Sequence, residues 1–247
     1  MAKLLVVESS GIIRGVFKDL LGKHTDFDFD LVATYAEAKE LLQKSSYEFA
    51  VVERKLEDSF KGEIIALLNK HNIAPLVFTN EIDEVFFESF ESAQIVDYIL
   101  KQKYNNITYV VQKLKQLQSN KNRTFLVISS SHTYLNYLKR NLNLHNFNVL
   151  SATNKEEASL LFDKHPEISL VILDKQAQHT KSLDLIENIR QRRSKEELKI
   201  IILEDTLSAY CTSSLLNNGA DDFIIKPFSR DEFYTRVYQN IQTISLD

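Results

Sequence analysis

The chain has 247 residues, 44% hydrophobic and 26% charged, with a formal net charge of −4 and a single cysteine. That balance argues against a disordered chain, and one cysteine excludes a disulfide framework or a thiolate metal cluster. Basic and acidic residues number 14 and 18 before position 120 and 16 and 16 after it, so neither half has the basic excess of a nucleic-acid surface. No apolar run approaches the roughly 20 residues that cross a bilayer, and Glu8 arrives too early for a signal peptide, so a cytoplasmic protein without membrane contact is expected.

Lys3–Val7 reads as a buried strand, followed by a helix capped at Glu8-Ser9-Ser10 with Ile13, Phe17, Leu20 and Leu21 on one face. A short strand at Phe29–Ala33 leads to a helix capped by Thr34. Phe49–Val52 is a third strand ending at Glu53. A helix at about Lys61–Lys70 precedes a fourth strand, Pro75–Thr79. A weaker helix is expected at Asp83–Ser92, a fifth strand at Val96–Leu100 ending at Lys101, and a last helix at about Tyr104–Leu117.

Residues 120–123 are polar and lack periodicity, which predicts a linker between a first domain, 1–119, and a second, 124–247. The alternation then restarts. Phe125–Ile128 followed by Ser129-Ser130-Ser131 repeats Leu4–Ser10 at a lag of 121. The run Ser169–Asp174 repeats Phe49–Glu53 at the same lag, and Ile200–Leu203 and Phe223–Lys226 repeat the fourth and fifth strands at a lag of 125. A repeat that keeps its strand ends through small insertions marks two copies of one fold. Strands and helices in alternation predict an α/β architecture with a doubly wound parallel sheet in each copy, where binding collects beyond the carboxyl ends of the strands.

The second half carries Leu-Val-Ile-Leu-Asp174, then Gly219-Ala220-Asp221-Asp222-Phe223, then Lys226-Pro227-Phe228. It closely resembles the receiver domain of two-component response regulators over residues 124–243. The first half resembles the same family more weakly, through the register of Glu8, Glu53, Thr79, Tyr98 and Lys101. The resemblance implies two consecutive flavodoxin-like (βα)5 domains with five-stranded parallel sheets. In the family, an acidic pair after the first strand and the aspartate after the third hold Mg²⁺. That aspartate accepts a phosphoryl group from a histidine kinase or phosphotransfer protein. A Thr/Ser after the fourth strand and a lysine after the fifth contact the phosphoryl oxygens, and an aromatic residue on the fifth strand changes rotamer. Such chemistry relies on neutralising and positioning the transferred group.

By this register Asp174 is the phosphoacceptor, Lys226 the phosphoryl-contacting lysine and Phe223 the switch aromatic. The acidic pair, however, is Ser129 and Ser130, and Glu204 stands in the Thr/Ser position. Magnesium needs anionic oxygen ligands to give up its waters, so its site is expected to be weak, and no cofactor is obligatory. A contact between unit charges near 4 Å is worth roughly 1 to 4 kcal/mol at a surface. Glu204 is expected to pair with Lys226 and to repel an incoming phosphate. In the first half Glu53 replaces the acceptor, Ser9 replaces one member of the acidic pair, and Glu8 keeps the other. Thr79, Tyr98 and Lys101 match, and Gln102 stands where proline follows the lysine in the family. Glu53 either pairs locally with Lys101 or imitates a phosphorylated aspartate.

Other chemistry finds little support. The six histidines show no metal-ligand spacing, and five glycines exclude a glycine-rich phosphate loop. The expectation is a tandem pair of degenerate receivers, a non-enzymatic regulatory and interaction module in a phosphorelay. The alternatives are a phosphoryl-accepting regulator or shuttle using Asp174, or the regulatory part of a diguanylate cyclase (GGDEF) response regulator. A protein partner or a second copy is expected on the fourth-helix, fifth-strand, fifth-helix face: about Thr206–Asn218, Phe223–Lys226 and Ser229–Thr243. There Tyr234 and Tyr238 lie beside the core stripe of Phe233, Val237 and Ile241, where they either merely edge the core or present an aromatic body and a hydroxyl to a partner.

Overall fold

The computed structural model describes residues 2–80, 94–101, 105–174, 179–205 and 214–244. The chain divides into two compact units, Met1–Ser119 and Asn120–Asp247. The expected helix at Asp83–Ser92, Gln102, and the 206–213 part of the expected interaction face lie outside the described residues.

In the first unit the order is β1 (Lys3–Val7), α1 (Gly11–His24), β2 (Asp28–Val32), α2 (Tyr35–Lys44), β3 (Phe49–Val52), α3 (Glu63–Lys70), β4 (Pro75–Thr79), β5 (Asp97–Leu100) and α4 (Asn105–Asn120). The strands form one parallel sheet in the order β2-β1-β3-β4-β5. Successive strand side chains point to opposite faces, so a strand covered on both sides must be apolar throughout. Leu4, Val6, Phe49 and Val51 accordingly pack with Phe17, Leu21, Val110 and Leu114 on one face. On the other face Leu5, Val7, Ala50 and Val52 pack with Ala38, Leu42, Ile64 and Leu68.

The second unit repeats the plan: β6 (Thr124–Ile128), α5 (His132–Leu144), β7 (Asn148–Ala152), α6 (Lys155–Lys164), β8 (Ile168–Asp174), α7 (His179–Arg192), β9 (Lys199–Glu204), β10 (Asp222–Ile225) and α8 (Arg230–Ile241). Its parallel sheet runs β7-β6-β8-β9-β10, and all seven residues of β8 are buried. Helix starts follow the capping residues. Ser10, Ser131, Asn154 and Ser229 each accept a backbone N–H of the first turn, and Thr34 and Glu37 form a reciprocal capping box.

Two boundaries differ from expectation for local reasons. Helix α3 begins at Glu63 because Gly62 sits in the left-handed region (φ 82°), which stops the helix from starting at Lys61. Helix α4 continues to Asn120, a residue expected in the linker, and the Asn120 side chain is buried. Its Nδ2 donates to the His145 carbonyl at 2.7 Å and to the Tyr238 hydroxyl at 3.0 Å.

The Gly-Ala-Asp-Asp stretch is a structural tie. Arg190 donates through Nε to the Gly219 carbonyl (2.7 Å), through Nη1 to that of Leu198 (2.8 Å) and through Nη2 to Asp221 Oδ2 (2.5 Å). Asp221 also accepts from the Ile200 N–H, and Asp222 accepts from Asn240 of α8. These bonds fix where β10 enters the sheet and so where Lys226 leaves it.

Of the two placements open to Tyr234 and Tyr238, both side chains take the one at the edge of the core. Tyr234 is buried, stacks on His145 at 3.6 Å between ring centroids, and donates to the Asn141 carbonyl at 2.7 Å. The Tyr238 hydroxyl lies 2.9 Å from His145 Nδ1 and accepts from Asn120. A buried hydroxyl needs such partners, and finding them inside the unit turns both side chains inward.

Candidate functional site

In each unit the carboxyl ends of the central strands bring an acceptor-position carboxylate and a lysine together. In the first, Glu8 follows β1, Glu53 follows β3 and Lys101 follows β5. The Glu53 N–H donates to the Val7 carbonyl and the Lys101 N–H to that of Thr79, both at 2.8 Å, so sheet register sets the three side chains. Lys101 Nζ lies 2.5 Å from Glu53 Oε1 and 2.7 Å from Glu8 Oε2, with its side chain only 4% exposed. Ser9 closes the other side, donating to Glu53 Oε2 from its N–H (3.0 Å) and its hydroxyl (2.5 Å). Arg14 of α1 reaches back to the carbonyls of Glu8 and Ser9 and steadies the turn. Thr79 is buried, and Tyr98 is half-buried against the core.

Two carboxylates around one ammonium, out of water, cannot be equally comfortable. Burial, together with the neighbouring Glu53 charge, raises the Glu8 carboxyl above its ordinary value despite Lys101. Burial also acts on Glu53, but hydrogen bonds from Lys101 and Ser9 outweigh it and hold that carboxyl low.

In the second unit Asp174 ends β8, buried. Ser129 donates its hydroxyl to Asp174 Oδ2 at 2.5 Å, and Lys226 Nζ reaches Oδ1 at 2.7 Å. The Lys226 N–H donates to the Glu204 carbonyl at 2.7 Å, and the Lys226–Pro227 peptide is cis. The carboxylate that meets Lys226 from the fourth strand is that of Asp205, at 2.8 Å, one residue beyond the expected Glu204, which is buried. Burial alone would lower the ammonium's pKa, but Asp174 and Asp205 raise it. Tyr134 of α5 lies beneath the ammonium, its ring centroid 5.1 Å from Nζ. Ser130 is exposed and Phe223 is half-buried against the core. Asp205 and Tyr134 were not found from the sequence. An acid next to Glu204 was the one available signal.

Residues 125–238 match the response regulator receiver domain family. A solved structure named as a two-component system response regulator/GGDEF domain protein superposes with a TM-score of 0.84 at 26% identity, covering 99% of both chains. The second unit therefore matches a response regulator receiver domain over nearly its whole length, and the solved structure is similar to this chain across both units. Among curated relatives, the ycf27 transcriptional regulator of Cyanidium caldarium is 28% identical over 132 residues, covering 53% of this chain and 51% of its own. The phosphate regulon transcriptional regulatory protein PhoB of Rhizobium meliloti is 34% identical over 101 residues, covering 40% and 44%. The chain spans about half the length of these regulators.

Receiver domains of this family bind Mg²⁺ at an acidic pocket and interact with histidine kinases or phosphotransfer proteins. The residues present here do not fit the ion. In the first unit both carboxylates are bonded to Lys101. In the second, each Asp174 oxygen is engaged and neutral serines occupy the acidic-pair positions. Among the described residues no group of three or more His, Cys, Asp or Glu is placed to hold a metal, and no helix is long and apolar enough to cross a membrane.

Proposed function

We propose that this chain is a tandem receiver module that works mainly through protein contacts, with impaired phosphoryl acceptance and no turnover of its own. One observation carries this reading: in both units the acceptor-position carboxylate is already neutralised from within, by Lys101 and Ser9 on Glu53 and by Lys226 and Ser129 on Asp174. The first unit then holds one arrangement without phosphate, Glu53 and Lys101 making the contact that a phosphorylated aspartate would make. Partners would be a histidine kinase or phosphotransfer protein, and a protein or second copy on the surface around 223–226 and 229–243. The cytoplasm is the compartment that suits such a module.

A second reading is favoured by the buried Asp174–Lys226 pair: phosphoryl acceptance at Asp174 alone. The likeness to a response regulator/GGDEF domain protein also supports a regulatory role within a diguanylate cyclase regulator, which the length of the native gene would test. Incubation with acetyl phosphate and Mg²⁺, read by intact mass, tests the main reading. No adduct is expected on Glu53 and at most slow labelling at Asp174. Rapid Mg²⁺-dependent labelling abolished by Asp174→Asn would replace the main reading with the second.

A further inference from the structure

Lys226 is shared between two carboxylates of different character. Asp174 is 3% exposed and Asp205 65% exposed, yet both lie within 2.8 Å of the ammonium. The register explains the meeting: Ile225 of β10 is paired with Glu204 of β9, so Lys226 and Asp205 leave the sheet side by side. The Asp205 contact is of little use to the fold, because an exposed carboxylate paired with a lysine is well solvated without it. Its weight lies in what it occupies. An ammonium has three N–H donors; Asp174 and Asp205 each take one, and the ammonium itself lies over the Tyr134 ring. Any oxyanion that approaches Asp174 must find its compensating charge on this same lysine, and it meets a fixed negative charge already there.

We propose that Asp205 is a specificity-determining residue of the Asp174 pocket: its carboxylate stands on Lys226 in the place of a phosphoryl oxygen, and an oxyanion that reaches Asp174 must compete with it for the lysine's charge. This rests on reading Asp174 and Lys226 as the acceptor pocket. Asp205 acts through the lysine and is a positioning residue. In the step it hinders, an Asp174 oxygen attacks the phosphorus of acetyl phosphate, the bond from phosphorus to the acetyl oxygen breaks, and acetate leaves with the electron pair.

The test is labelling of the full chain by acetyl phosphate with Mg²⁺, read as the initial rate from intact mass. Asp205→Ala and Asp205→Asn are expected to label about tenfold faster than wild type, the size of removing one like charge near the reacting group. Asp205→Glu should stay slow, and all three variants should keep the wild-type thermal midpoint. Wild-type labelling should rise with added salt relative to Asp205→Ala, because salt screens an exposed charge. The proposal is overturned if Asp205→Ala labels no faster than wild type, no labelling in either included, or if Asp205→Asn stays slow, since shape and not charge would then govern. Fast labelling of wild type would sink the impaired-acceptance reading instead, and the ratio of variant to wild type would still decide the role of Asp205.

Discussion

Lys101 Nζ sits 2.5 Å from Glu53 Oε1 and 2.7 Å from Glu8 Oε2, an ammonium shared by two carboxylates in a site almost closed to water. A buried ion pair adds little net stability, but removing one partner strands the other. Lys101→Met, which leaves two carboxylates facing each other, should cost about 3–5 kcal/mol in urea unfolding. Adding Glu8→Gln and Glu53→Gln to that variant should recover much of the loss. A Lys101→Met protein as stable as wild type would show that water reaches the cluster.

The two carboxylates shift in opposite directions from the ordinary 4.5, and the signs separate their pH dependence. The lowered Glu53 stabilises the fold above 4.5, and that contribution is lost as pH falls through its folded-state value. The raised Glu8 does the reverse: it favours the fold below 4.5, and that is lost as pH rises through its folded-state value. Urea midpoints between pH 3 and 7 should therefore show Glu8→Gln removing a decline above 4.5 and Glu53→Gln removing one below it. Parallel profiles for wild type and both variants would refute the assignment.

Gly219 and Arg190 give a sharper steric case. A Cβ on Gly219 would stand 2.7 Å from Arg190 Cγ, at a backbone φ of +113° that side chains rarely adopt. Gly219→Ala should destabilise the chain by about 1–3 kcal/mol, through both strain and displacement of the arginine. Arg190→Ala would clear the contact but lose the bonds to Gly219, Leu198 and Asp221, so the double variant should be no more stable than either single one. Full recovery in the double variant would mean the clash is the whole effect.

The strands were legible because a parallel sheet covered on both faces demands apolar runs, and each run here ends at a charged or hydroxyl residue. The repeat then brought Glu53 and Lys101 to the same strand ends, and the structure puts them in contact. Which acid meets Lys226 was not legible. Adjacent residues at a strand end point to opposite sides, and the phase cannot be read from β9, where Ile200–Glu204 are all buried. Whether Tyr234 and Tyr238 edge the core or face a partner stayed open in the sequence for a related reason. Their partners, Asn141, His145 and Asn120, are polar residues far away in the sequence, and a helical pattern marks such positions as surface.

Two tyrosine hydroxyls in the second unit make opposite predictions for one substitution. The Tyr238 hydroxyl has Asn120 Nδ2 at 3.0 Å and His145 Nδ1 at 2.9 Å, so Tyr238→Phe removes two hydrogen bonds to buried side chains. It should cost about 1–3 kcal/mol, the net worth of two buried hydrogen bonds. The Tyr134 hydroxyl is buried without a hydrogen-bond partner among the described residues, and burial, with Asp174, Tyr137 and Asp205 nearby, keeps the phenol protonated. Tyr134→Phe removes that cost while keeping the ring beneath Lys226, and should be neutral or stabilising. Urea midpoints of the two variants decide it. A loss at Tyr134 equal to that at Tyr238 would mean its hydroxyl has a partner in solution, a bound water first among the candidates.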